Sequence, residues 1–178
     1  AVVRIATKDA RCSLSNGDIE AMFDLNKVNF VTQYRKCSFG QLRFQKAQRH
    51  IIDVTVDDYI SMYSNNGASA LVTAAQKVLL EKMRVTSYID IADKIIMCVP
   101  EGTGNWVASA GFKHWRSQYN DKWTQSLSAN MHELGHNIGL IHANKNGKEY
   151  EDGTGYMSRS FRETDFPLRC FNGQNNHV

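Results

Sequence analysis

No run of about eighteen consecutive apolar residues occurs in these 178 residues, so nothing in the sequence reads as a bilayer-spanning helix. An excess of one charge is also missing. The balance of 21 Lys and Arg against 18 Asp and Glu leaves only +3. So small and scattered a surplus argues against nucleic acid or a membrane surface as partner. None of the four cysteines forms a CxxC pair, which removes cysteine zinc sites and thioredoxin-like motifs. No N-x-S/T sequon is present, so glycosylation gives no argument for secretion. Internal repeats, low-complexity segments and long linkers are absent as well. There is no signal peptide, and the chain opens at Ala1 instead of Met, as expected after loss of a leader or pro-segment or after cutting for expression.

What is present is an ordinary globular composition, 42% hydrophobic and 22% charged. A chain of this length buries a real core without needing a metal or disulfide to fold. Cys12, Cys37, Cys98 and Cys170 are spread along the chain. An even count so dispersed fits two disulfides and an oxidising compartment. The alternative is four buried thiols in a cytosolic protein. Of the three possible pairings, the expected one is Cys12–Cys37 with Cys98–Cys170.

Periodicity sketches the elements. VVRIAT at 2–7 reads as an opening strand, and residues 16–35 carry apolar side chains at helical spacing. LRFQKA at 42–47 reads as a short strand. HIIDVTVD at 50–57 alternates in the manner of a half-buried strand, and SNNG at 64–67 is a turn. Leu71, Ala75, Val78, Leu79 and Met83 predict a helix over 68–83. DKIIMCVP at 93–100 suits a buried strand ended by Pro100, and NWVASAGF at 105–112 an edge strand. Trp115 and Trp123 flank a stretch read as a polar loop. A last helix is expected over 124–138, with Leu127, Met131, Leu134 and Ile138 packed inward. Beyond 142 the chain is rich in Gly, Asn and charge. The class is α/β or α+β, with residues 1–142 as the main part and 143–178 as a small irregular C-terminal subdomain.

The chemistry concentrates in HELGHNIGLIH at 132–142. His132 and His136, four apart on a helix, sit one turn apart on one side and reach one ion. Zinc takes imidazole nitrogen, and a catalytic site keeps one position open for water. Gly139 can adopt positive φ, end the helix and turn the chain so that His142 supplies a third ligand. Glu133 is rotated about 100° from His132, too far for an easy ligand but well placed to act on a water as general base. Surface histidines on an amphipathic helix would not account for Gly139 and His142 together.

HExxHxxGxxH resembles the metzincin metallopeptidases, and GTGYMS at 153–158 resembles their Met-turn, with Met157 as an apolar floor. A narrower resemblance is to the gametolysin-like M11 peptidases. It is carried by QYRKCSFGQLRF at 33–44, ADKIIMCVPEGTGNWVASA at 92–110, ANMHELGHNIGLIH at 129–142, EDGTGYMS at 151–158 and LRCFNGQNN at 168–176. The resemblance implies a secreted zinc endopeptidase directed at extracellular-matrix or cell-wall proteins. It also implies a twisted mixed five-stranded sheet with helices and a small lower lobe. Substrate is expected along the strand near Asn105, Trp106, Val107 and Ala108, with Arg159 and Phe161 shaping the pocket beyond the cleaved bond. Arg159 stands where some relatives place a tyrosine ligand, and Ala143 where some place an acid.

The cofactor expected is one catalytic Zn²⁺, with calcium left open. The partner is a protein or peptide substrate, without nucleic acid or membrane, and the state is monomeric. Two other functions stay open. One is a protease-derived, zinc-bearing binding or adhesion module with little activity; the other is a zinc hydrolase acting on a non-peptide bond. The carboxylate of Glu133 favours an enzyme, because only catalysis needs it.

Overall fold

The computed structural model describes residues 1–65, 67–158, 167–173 and 175. Five strands form one sheet: β1 (Val2–Ala6), β2 (Ile51–Thr55), β3 (Ile95–Val99), β4 (Ala108–Ala110) and β5 (Arg116–Asn120), in the order β2-β1-β3-β5-β4. All neighbours pair parallel except β4, which runs antiparallel along β5 and closes one edge. The helices are α1 (Asn16–Ala21), α2 (Phe30–Cys37), α3 (Ala68–Met83) and α4 (Leu127–Ile138).

The strand period of two assigns each side chain to a face. Val3 and Ile5 of β1, with Ile95, Met97 and Val99 of β3, pack beneath Leu71, Val72, Ala75 and Leu79 of α3. Val2, Ile96 and Cys98 point the other way, against α1, α2 and α4, where they meet Phe30, Tyr34, Leu127, Met131 and Leu134. All five residues of β3 are buried, as a central parallel strand covered on both faces must be. Helix α4 is thus pressed onto one face of the sheet. The Tyr34 hydroxyl donates to the Met131 carbonyl at 2.6 Å, tying α2 to α4.

Several sequence expectations change. The span 16–35 is two helices, not one. Ser15 caps α1 and Asn29 caps α2, each in a reciprocal capping box that starts a new helix. Residues 42–47 form no strand. Leu42 and Phe44 pack against the core beside α2, with the Phe44 ring 5.0 Å from Tyr34 and 5.7 Å from Phe30. Alternation there serves aromatic packing instead of strand pairing. The polar stretch between Trp115 and Trp123 contains β5, a strand hidden from hydropathy because Ser117 and Gln118 are buried beside Tyr119. Its partners on both sides, not its composition, make it a strand. The edge strand is shorter than 105–112, and the last helix begins at Leu127 after a 3-10 turn at Asp121–Gln125.

The disulfides also differ from expectation. Cys12 bonds Cys98 and Cys37 bonds Cys170. Cys12 runs back along β1, its N–H bonded to the Ile5 carbonyl, which brings it beside β3. Cys37 ends α2 facing the chain that follows the turn around Met157. Both links join residues far apart in sequence, 86 and 133 positions. Non-reducing peptide mapping should recover these two pairs alone. Replacing Cys37 and Cys170 by Ser should lower the unfolding free energy by ~2–5 kcal/mol in a denaturant titration.

Candidate metal centre

Helix α4 carries most of the site. Ser126 accepts the Ala129 N–H and starts it. Gly139, at φ 103°, ends it in the left-handed region, where a side chain would be strained and would press on Lys113. The Leu140 N–H bonds the Gly135 carbonyl across this turn, a helix stop of Schellman type. Asn137 locks the helix end by donating to the carbonyls of Gly111 and Arg116 at 3.1 and 2.9 Å.

The turn brings His142 back to the two helical histidines. Nε2 of His136 lies 3.2 Å from Nε2 of His132 and 2.9 Å from Nε2 of His142. The outer nitrogens are all engaged. His132 Nδ1 lies 2.8 Å from the Tyr156 carbonyl and His136 Nδ1 lies 3.0 Å from the Leu140 carbonyl. A carbonyl only accepts, so both Nδ1 atoms carry the proton and both Nε2 lone pairs face inward. His142 Nδ1 lies 2.5 Å from a Glu149 carboxylate oxygen, which sets the same tautomer.

Three inward lone pairs at this spacing repel unless a cation sits between them. Tetrahedral zinc with Zn–N of about 2.0–2.1 Å places its ligand nitrogens about 3.3–3.4 Å apart. The observed separations fit such an ion after shifts of a few tenths of an ångström. His132, His136 and His142 are therefore able to hold zinc. Burial drives His132 down to about 4 and also lowers His136, so both stay neutral ligands across the physiological range.

Glu133 is buried beside them, 3% exposed. Burial pushes its carboxyl up to about 8 in the metal-free site, and a hydrogen bond from the Ala110 N–H opposes that rise. The same bond holds the carboxylate against the edge strand. Beneath the helix, Met157 is buried with Leu140 and Ala143. Gly135 leaves it room, for a Cβ there would stand 2.6 Å from the Met157 sulfur. The Ala143 N–H bonds the Met157 carbonyl at 2.9 Å, joining the chain after His142 to this floor.

Above the histidines opens a cleft of about 500 Å³. Ala108, Ser109 and Ala110 form one wall, Glu133 and the histidines the floor, and Tyr150 the opposite side. A slightly larger cavity of about 560 Å³ lies behind α4 against Leu134 and Ile138 and contains none of the histidines.

Of the residues expected to contact substrate, Ala108 reaches the cleft. Trp106 turns away, its indole N–H donating to Thr103 and its ring packed with the α3-side core. Val107 packs against the core on the α4 side, and Asn105 is exposed before the strand. Arg159 and Phe161 lie outside the described residues. Ala110, like Ala108 expected from the sequence to let a chain approach, and Ser109, within the expected 104–111 edge, line the cleft, whereas Glu149 and Tyr150 were not expected there. Ser109 and Ala110 were legible as part of the edge strand. Glu149 and Tyr150 carried no periodic signal and become visible only once the chain folds back.

A family model described as gametolysin peptidase M11 matches residues 10–175. No curated protein matches the chain. Among solved structures, the archaemetzincin of Archaeoglobus fulgidus, complexed with malonate, is similar at 12% identity and a TM-score of 0.39, over 89% of this chain and 85% of that one.

Two outcomes are expected from this geometry. Gly135→Ala should force Met157 aside and lower stability by ~1–3 kcal/mol in thermal or denaturant unfolding. Glu133→Gln should stabilise the metal-free protein in alkaline solution. Its carboxyl is raised on folding, so its contribution is fully present below pH 4.5 and is lost as pH rises through about 8. The gain from the amide should approach ~4 kcal/mol near pH 8 and vanish near pH 4.5. Unfolding curves of both metal-free proteins across that range check it.

Proposed function

The chain belongs to the gametolysin peptidases of family M11, and from that premise we propose a secreted endopeptidase of metzincin type in which Glu133 is the general base. Membership makes it a zinc metallopeptidase with protein or peptide substrates. The observation that carries the finer reading is the convergence of three imidazole Nε2 atoms beside one buried carboxylate in an open cleft.

In this reading His132, His136 and His142 hold the ion through Nε2. When bound, zinc supplies Lewis acidity at the scissile carbonyl and brings the pKa of a water toward about 7. Glu133 takes a proton from the attacking water and passes it to the leaving amine. The Ala110 N–H favours the ionised carboxylate that this step requires. Substrate lies extended along the outer edge of β4, where backbone groups hold a peptide whatever its side chains. The small residues Ala108 and Ala110 let it approach.

The described residues beyond 142 act as a small second lobe, from which Tyr150 lines the cleft. Tyr156 on His132, Met157 under α4 and the Cys37–Cys170 link fasten it to the main part. Two disulfides and the extracellular habit of the family support secretion. No described helix is long and apolar enough to cross a membrane. Extracellular-matrix or cell-wall proteins are the substrate class, and the working unit is a monomer.

Digestion of a mixed peptide library, with new termini read by mass spectrometry, tests the activity. Cleavage should stop with a zinc chelator and return with zinc. Glu133→Ala should keep one zinc per chain while turnover falls at least ~100-fold. Parent-like cleavage by that variant would sink the assigned role.

A further inference from the structure

The histidines are not held alike. His132 and His136 ride on α4 and give their Nδ1 protons to backbone carbonyls, which side-chain replacement cannot remove. His142 follows the break at Gly139, so no helix positions it. Its outer nitrogen meets a side chain, the Glu149 carboxylate, at 2.5 Å. Its ring lies against Tyr150, with centroids 3.9 Å apart and planes tilted by 40°. Tyr150 also runs nearly parallel to His132, at 6.2 Å and 16°.

The local sequence explains how these two residues reach the site. In HANKNGKEY the Lys145 and Lys148 backbones exchange hydrogen bonds at 3.1 and 3.0 Å. Asn146 and Gly147 between them have φ of 53° and 75°. Positive φ at both central positions is the type I′ hairpin turn that Asn-Gly favours. The turn reverses the chain so that Glu149 and Tyr150 lie back over His142. Tyr150 itself sits at φ 65°, a region an aromatic residue rarely adopts. Its placement is therefore set by its surroundings, as is usual where strain is kept for function.

We propose that Glu149 and Tyr150 are positioning residues for His142, a clamp from the hairpin that sets the affinity of the site for zinc. The inference rests on the zinc reading above. The Glu149 carboxylate accepts the Nδ1 proton and aims the Nε2 lone pair inward. The Tyr150 ring lies on the imidazole and resists its rotation. Without the clamp, His142 is free to swing out and the ion keeps two firm ligands.

The test is zinc affinity of the full chain, measured by competition with a chromophoric chelator. Glu149→Ala should weaken zinc binding ~10–100-fold. Glu149→Gln should retain much of the affinity, because its amide oxygen still accepts from Nδ1. Tyr150→Ala should weaken binding several-fold, and Glu151→Ala, an exposed neighbouring acid, should leave it unchanged. With cobalt in place of zinc, Glu149→Ala should also alter the visible ligand-field bands, which a merely structural loss far from the ion would not do. Unfolding of each metal-free variant at the parent midpoint confirms that the fold is kept. Parent-like affinity and spectrum in Glu149→Ala would overturn the proposal. His142→Ala separates the two readings. If it weakens zinc while Glu149→Ala does not, only the clamp fails. If it binds zinc as the parent does, the ligand assignment and the clamp fail together.

Discussion

Three imidazole nitrogens with their lone pairs turned to one point are an unstable arrangement by themselves. Keeping their Nε2 atoms 2.9 and 3.2 Å apart calls for resistance from outside against rotation of the rings. Much of the surrounding structure serves that resistance. The Tyr156 and Leu140 carbonyls and the Glu149 carboxylate fix the outer nitrogens, so no ring can flip its lone pair away. All three anchors come from the chain after α4, which ties its described residues 140–156 against the helix.

The sheet then places the helix. Cores on both faces of β3 fix its height and direction, and Asn137 pins the end of α4 to the β4–β5 connection. That pin also brings the edge strand to Glu133. One backbone N–H of Ala110 touches the carboxylate while the neighbouring wall stays small enough for a peptide. Glu133 and the β4 edge are thus positioned by the same contact between α4 and the sheet.

The site is retained at a cost to stability. A buried carboxyl, a glycine in mid-helix at 135 and left-handed backbone at Tyr150 are each unfavourable for folding alone. The two disulfides offset such costs by restricting the unfolded chain, and Cys37–Cys170 does so across the segment that supplies the floor.

The local chemistry was legible in the sequence. The spacing of His132, Glu133 and His136 on a helix, the glycine that ends it and the return to His142 follow from helix geometry and the freedom of φ at Gly. Strands β1, β2 and β3 and helix α3 follow from periodicity, because each buries one or both faces with apolar side chains of its own. Only tertiary structure decided the rest. β5 is a strand because β3 and β4 supply its hydrogen bonds, and its polar composition hides that. Phe44 looks like a strand residue but finds aromatic partners on α2. The cysteines pair across 86 and 133 residues, where sequence proximity carries no information. Glu149 reaches His142 only because an Asn-Gly turn folds the chain back. Periodicity records which face of an element is buried, whereas these contacts depend on where separate elements meet.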